Sequence, residues 1–291
     1  MKKTLLYSIL SFTFCHVFAQ NENKLPYAAL KADSTPLMSA GAVDSLPQMA
    51  NFVPGSYVDF QVDNLGNIFV LTPDNQLKKY SGSGDSLGVY NDVKRYGKVA
   101  YIDVSNPLKI LLFYQEFGTI VTLDRFLNNV SSLDLRQLGF YQVTCIGLAY
   151  DNNIWVYDAL AGQLNKISND GTVISHTNDL RQFIDSVPNP ILLTDQGGLV
   201  YLFDPQKGAY IFDHYGGYSK FIPLKNWRHF SVINKTMLGW NGREFLKMED
   251  KMFAEEKKQI PAYYLPALKI LIMPDFLYVL KTDGIHVYKN S

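Results

Sequence analysis

A strand–turn–strand unit recurs six times along this chain: "NIFVLTPDNQLKKY" from residue 67, "KILLFYQEFGTIVTLD" from 109, "NIWVYDALAGQLNKIS" from 153, "LVYLFDPQKGAYIFDH" from 199, "TMLGWNGREFLKM" from 236 and "FLYVLKTDGIHVYKN" from 276. With Ile68, Ile110, Ile154, Leu199, Met237 and Phe276 taken as equivalent, the intervals are 42, 44, 45, 38 and 39 residues. Short runs of β-branched and aromatic residues, punctuated by Gly, Asn, Asp and Pro, read as strands. A repeat of about 40 residues made only of strands is what a β-propeller blade requires. Each interval has room for four strands, which in the first unit are Tyr57 to Val62, Ile68 to Thr72, Gln76 to Tyr80 and Ser86 to Tyr90. The turns carry suitable chemistry: "DNLGN" (63–67), "SNDG" (168–171) and "TDG" (282–284) supply Asp, Asn and Gly where a hairpin needs positive φ or a side chain to bond the backbone. One such sheet cannot bury both its faces, whereas several packed radially can.

The sixth unit reaches only a third strand (285–289), and "SLPQMANFVPG" (45–55) has the apolar content to supply the missing fourth. The chain is therefore expected to be all-β: a six-bladed β-propeller with four-stranded antiparallel blades, its ring closed by an N-terminal strand, which hides an exposed sheet edge. The propeller domain is expected over 45–291, with blades near 56–92, 97–136, 143–180, 189–224, 228–258 and 264–291. Ahead of it, "MKKTLLYSILSFTFCHVFA" (1–19) has a charged start, an apolar run and a small-residue cleavage site, the pattern of a secretory signal peptide. Residues 20–44 read as a flexible leader. Phe14 before Cys15 is too bulky for a lipoprotein signal, so a soluble, exported mature form is expected. Beyond Cys15 the one thiol is Cys145, in the apolar "QVTCIGLAY", which reads as a buried, inert residue in a chain without an intramolecular disulfide.

The phrase Asp63 to Val70, "DNLGNIFV", and its shorter version "DNNIWVYD" (151–158) resemble the repeat opening of six-bladed propellers of the NHL-like type. The resemblance covers residues 56–291 and implies the same fold; function is not fixed by it. Four Asp-Ser/Thr sites, at Ser34, Ser45, Ser86 and Ser186, resemble the O-glycosylation sequon of exported Bacteroidota proteins.

Twenty-seven Lys and Arg balance twenty-seven Asp and Glu, so net charge offers no argument for nucleic acid or an anionic membrane surface. His176, His214, His229 and His286 are isolated in sequence, no cofactor is implied, and no segment after the first twenty residues is long enough to span a membrane. Asp59 and Asp103, on expected inner strands, are channel-lining candidates; two carboxylates make a poor calcium cage and read as solvated channel residues. The connections between blades are richer. They pair Arg95 with Tyr96, Arg136 with Phe140, Arg181 with Phe183, and Trp227 with Arg228 and His229, while the fifth carries Tyr263 and Tyr264. Arg beside Tyr, Phe and Trp is the composition of protein-binding hot spots; the same rings could instead wedge between blades with each Arg stacked on one. The reading is a non-catalytic periplasmic or outer-membrane-associated binding module that docks a protein partner, the type IX export system being one candidate. Its alternatives are a channel-centred, lactonase-like hydrolase and a carbohydrate-binding propeller.

Overall fold

The computed structural model describes residues 47–290, apart from 92, 185, 186, 250, 251 and 253. The signal peptide and leader expected over 1–44, and the candidate sites Ser34, Ser45 and Ser186, lie outside the described residues. What is described is a six-bladed β-propeller of four-stranded antiparallel sheets.

From the axis outward, blade one consists of Asp59–Val62, Ile68–Leu71, Leu77–Tyr80 and Ser86–Tyr90. Blade two is Tyr101–Asn106, Lys109–Tyr114, Thr119–Asp124 and Asn129–Asp134; blade three is Val143–Leu148, Ile154–Asp158, Gln163–Ile167 and Val173–His176. Blade four is Leu192–Gln196, Leu199–Asp204, Gly208–Asp213 and Tyr218–Pro223; blade five is His229–Ile233, Thr236–Trp240, Glu244–Met248 and Glu256–Gln259. Blade six has Lys269–Ile272, Phe276–Lys281 and Gly284–Lys289, and takes its outer strand, Met49–Pro54, from the other end of the propeller sequence. That strand runs antiparallel to its neighbour, with Val53 opposite Ile285 and Phe52 opposite His286.

The middle strands are apolar on both faces because each face meets a different blade. In blade two, Ile110, Leu112 and Tyr114 pack with Phe69, Leu71 and Leu77 of blade one, whereas Leu111 and Phe113 pack with Ile146, Ile154 and Val156 of blade three. Among the described residues the buried apolar side chains form six such clusters, one at each interface between neighbouring blades. The interface that joins the two ends unites Phe60, Ile68 and Val70 of blade one with Tyr278, Leu280 and Ile285 of blade six and with Val53 of the closing strand. Six interfaces among six blades means a closed ring.

The Asp-x-x-Gly-Asn phrase has a local mechanical role. Asp63, almost fully buried, accepts the N–H groups of Leu65 (2.9 Å) and Asn67 (2.8 Å) and the Asn67 side-chain amide (2.8 Å), with Gly66 at φ +79° completing the turn. Asp124 and Asp213 cap the third-to-fourth-strand hairpins of blades two and four in the same way.

Polar side chains clasp neighbouring blades. Lys79 on the third strand of blade one donates to the Arg125 carbonyl of blade two (2.9 Å) and lies 5.1 Å from the Phe69 ring. Lys166, at the matching place in blade three, donates to the His214 carbonyl of blade four (3.2 Å) and lies 4.7 Å from the Trp155 ring.

Candidate partner-binding surface

In an antiparallel four-stranded blade, the connection leaving the outer strand and the hairpin between the second and third strands emerge at the same end of the sheet. All five connections singled out in the sequence therefore belong to one end of the ring, and the structure sorts their residues into two groups.

The first group is buried. Phe140 packs between blades two and three, Trp227 between blades four and five, and Tyr264 between blades five and six. The Trp227 indole N–H donates to the Glu255 carboxylate (2.8 Å), and its ring lies 6.2 Å from that of Phe230. His229 is buried too; burial, and then the positive charge of Lys269, hold its imidazole well below the ordinary histidine range. Tyr96 and Tyr263 are half-buried, the former 5.3 Å from the Tyr114 ring and the latter 4.3 Å from Tyr264. This corrects the expectation for Phe140, Trp227, His229 and Tyr264. A connection must cross the wedge-shaped gap between two blades, and its large rings fill that gap, where a partner cannot reach them.

The second group stays exposed: Arg95, Arg136, Arg181, Phe183 and Arg228. Arg95 stacks on Tyr96 (5.2 Å) and Arg228 on Trp240 (5.6 Å). Arg136 and Arg181 occupy a repeated Leu-Arg-Gln step. In each, the leucine is fully buried and its N–H bonds the glycine carbonyl of the adjacent hairpin, Leu135 to Gly118 (2.8 Å) and Leu180 to Gly162 (2.9 Å). The arginine then lies over that hairpin, Arg136 donating to the Glu116 carbonyl (2.6 Å) and Arg181 to the Ala161 carbonyl (3.1 Å). Arg181 is further gripped by Asp179 at 2.8 Å, so both guanidinium groups are held in place while remaining at the surface.

Around them stand apolar residues that the sequence reading passed over: Phe117, Leu138, Tyr141 and Leu160, with Tyr141 at 67% exposure. Tyr141 follows directly on the buried Phe140, and its N–H bonds the Asp158 carboxylate (3.2 Å), which fixes the backbone from which the ring projects. Phe183 lies 5.5 Å from Tyr218, itself partly exposed on the outer strand of blade four. Exposed rings and pinned arginines thus lie on the connections that follow blades two and three and on the second-to-third-strand hairpins beside them.

The proposed channel carboxylates are engaged elsewhere. Asp59 receives the Lys269 ammonium (2.7 Å), which also donates to the Phe60 carbonyl (2.7 Å), tying blade six to blade one. Asp103 is buried rather than solvated; it accepts the Ser105 N–H (2.8 Å) and, across the blade boundary, the Leu148 N–H (2.7 Å). Burial pushes its carboxyl upward from the usual range, against these hydrogen bonds. Cys145 is buried, and desolvation drives its thiol far up, so it carries little thiolate. Ser86 is exposed at the start of blade one's outer strand. Among the described residues no group of three or more His, Cys, Asp or Glu is placed to hold a metal ion, and no helix is long and apolar enough to cross a membrane.

No protein-family model matches the chain, and no curated protein matches it by sequence. Solved structures match it in shape. The Cps50 (Swd1) β-propeller domain of Myceliophteria thermophila aligns with a TM-score of 0.56 at 10% identity, over 84% of this chain and all of that one. Virginiamycin B lyase from Staphylococcus aureus, solved in an inactive form with quinupristin, aligns with a TM-score of 0.53 at 12% identity, over 83% of this chain and 86% of that one. The extracellular domain of a one-component system from B. thetaiotaomicron aligns with a TM-score of 0.51 at 15% identity, over 79% of this chain and 32% of that one. At such identities the likeness is one of fold, and these three proteins show how little that fold restricts what is built on it.

Proposed function

We propose that this protein is a non-catalytic binding module whose connection end docks a protein partner in a bacterial cell envelope. The observation that carries the reading is that Arg136 and Arg181 are immobilised by backbone carbonyls on connections that also present exposed Tyr141 and Phe183, with exposed Phe117 on an adjoining hairpin. Rings and a guanidinium whose conformation is already set lose little entropy on docking, which is why such residues dominate binding hot spots. Support for an exported setting comes from the signal-peptide pattern at 1–19, and for a Bacteroidota envelope from the Asp-Ser/Thr sites. An outer-membrane assembly, the type IX export system among them, is the partner class this setting suggests. The rival hydrolase reading is weakened by a positive finding: Asp59 and Asp103 are spent on joining blades.

The test is affinity isolation from native membranes with the wild-type chain and with Tyr141→Ala/Arg181→Ala/Phe183→Ala. These exposed positions allow the variant to fold, so a co-purifying envelope protein that is retained by the wild type should be lost from the variant. A variant that keeps every such protein refutes the docking surface.

A further inference from the structure

The opposite end of the ring carries the hairpins between the inner and second strands, and their side chains follow a pattern. Asn64, Asn106, Asn152 and Gln196 lie at these hairpins in blades one, two, three and four, one amide to a blade, and all four line a single open cavity of about 340 Å³. Hairpin chemistry accounts for some of this: Asn152 has φ +63°, a conformation asparagine tolerates. It does not account for Gln196, the last residue of a strand and not a turn-forming type, yet Gln196 extends the arc to a fourth blade.

The cavity wall is partly organised in advance. Asn106 donates to the Asn152 side-chain oxygen (2.9 Å) and accepts the Leu108 N–H (2.9 Å). Asp195 accepts the Tyr150 N–H (3.2 Å) and the Trp155 indole N–H (3.0 Å) through Oδ2, while its Oδ1, shielded from solvent, has no donor among the described residues. Lys166 lies 4.9 Å from the Tyr150 ring and steadies it, yet Tyr150 remains 62% exposed. The side-chain amides of Asn64 and Gln196 bond nothing among the described residues.

A side-chain amide both donates and accepts, as a hydroxyl does, so an arc of amides matches a ligand bearing many hydroxyl groups. Tyr150 adds a ring on which the apolar C–H face of a pyranose can rest. Among the described residues, the one charged residue that lines the cavity is Asp195, a carboxylate, which favours a neutral ligand over an anionic one. We propose that this cavity binds a neutral saccharide, with Asn64, Asn152 and Gln196 bonding its hydroxyls and Tyr150 stacking on one ring. The site is at the end opposite the connections and does not depend on the docking reading.

Isothermal titration of the whole chain with maltohexaose, chitohexaose, xylohexaose and mannohexaose tests the proposal. Saturable binding of at least one is expected, with Tyr150→Ala and Asn64→Ala/Gln196→Ala each weakening it about tenfold or more at unchanged thermal midpoint. The connection-end triple variant should bind the sugar like wild type, which separates failure of this site from failure of the docking reading. Absence of saturable heat with all four sugars up to about 10 mM, or binding that survives both cavity variants, overturns it.

Discussion

Lys269→Met tests whether the ring is held shut by a polar tie as well as by apolar packing. The Lys269 side chain is 4% exposed and makes two 2.7 Å hydrogen bonds, one to Asp59 and one to the Phe60 carbonyl. Methionine keeps most of the buried stem, so the loss is confined to the ammonium. Leaving the Phe60 carbonyl without its donor costs about 1–3 kcal/mol. Removing one partner of a fully buried ion pair costs roughly 3–5 kcal/mol. Asp59 is 28% exposed and keeps some water, so its share is well below that, and about 2–4 kcal/mol in total is expected. For a chain of this size that lowers the thermal midpoint by roughly 5–15 °C. Urea unfolding of Lys269→Met, Asp59→Asn and the double variant closes a double-mutant cycle. The double variant should be less destabilised than the summed singles by about 1–2 kcal/mol, because the orphaned charge is gone. Costs that add within about 0.5 kcal/mol, or a single-variant loss under about 1 kcal/mol, would refute the tie.

Two further outcomes follow from the ring. Deleting residues up to Pro54 uncovers the edge strand Gly284–Lys289, strips the cover from Ile285 and Val287, and removes the Asn51 bond to the Gly82 carbonyl (2.8 Å). The truncated chain should unfold at least about 10 °C lower and regain stability when a peptide of residues 45–55 is added; an unchanged calorimetric midpoint contradicts closure. His229 is buried and held neutral, so below about pH 6.5 the unfolded chain takes up a proton that the folded chain does not. The stability it contributes is complete above that pH and falls on acidification by up to about 1.4 kcal/mol per unit. Urea midpoints between about pH 7.5 and pH 5 should show a shallower fall in His229→Phe, and an identical slope in both proteins rejects the assignment.

The amino-acid sequence by itself determined the unit, its number and its closure. Short apolar runs, turn residues such as Asp63 and Gly66, and the spacing of Ile68, Ile110 and Ile154 are legible along the chain, and a sheet with two apolar faces leaves radial packing as its outlet. It also showed, at Leu135-Arg136-Gln137 and Leu180-Arg181-Gln182, a repeated step whose meaning it could not express: which member of each connection points into the gap between blades. Tertiary structure alone decided that Phe140 and Trp227 are buried while Tyr141 and Phe183 stand exposed, since adjacent residues in an irregular segment carry no periodicity to tell them apart. It alone joined Lys269 to Asp59, 210 residues away, and gathered Asn64, Asn106, Asn152 and Gln196 around one cavity. Asn64, Asn106 and Asn152 each read as ordinary hairpin residues until the hairpins are aligned. Contacts between blades depend on how rigid sheets meet, and that is set by the ring as a whole.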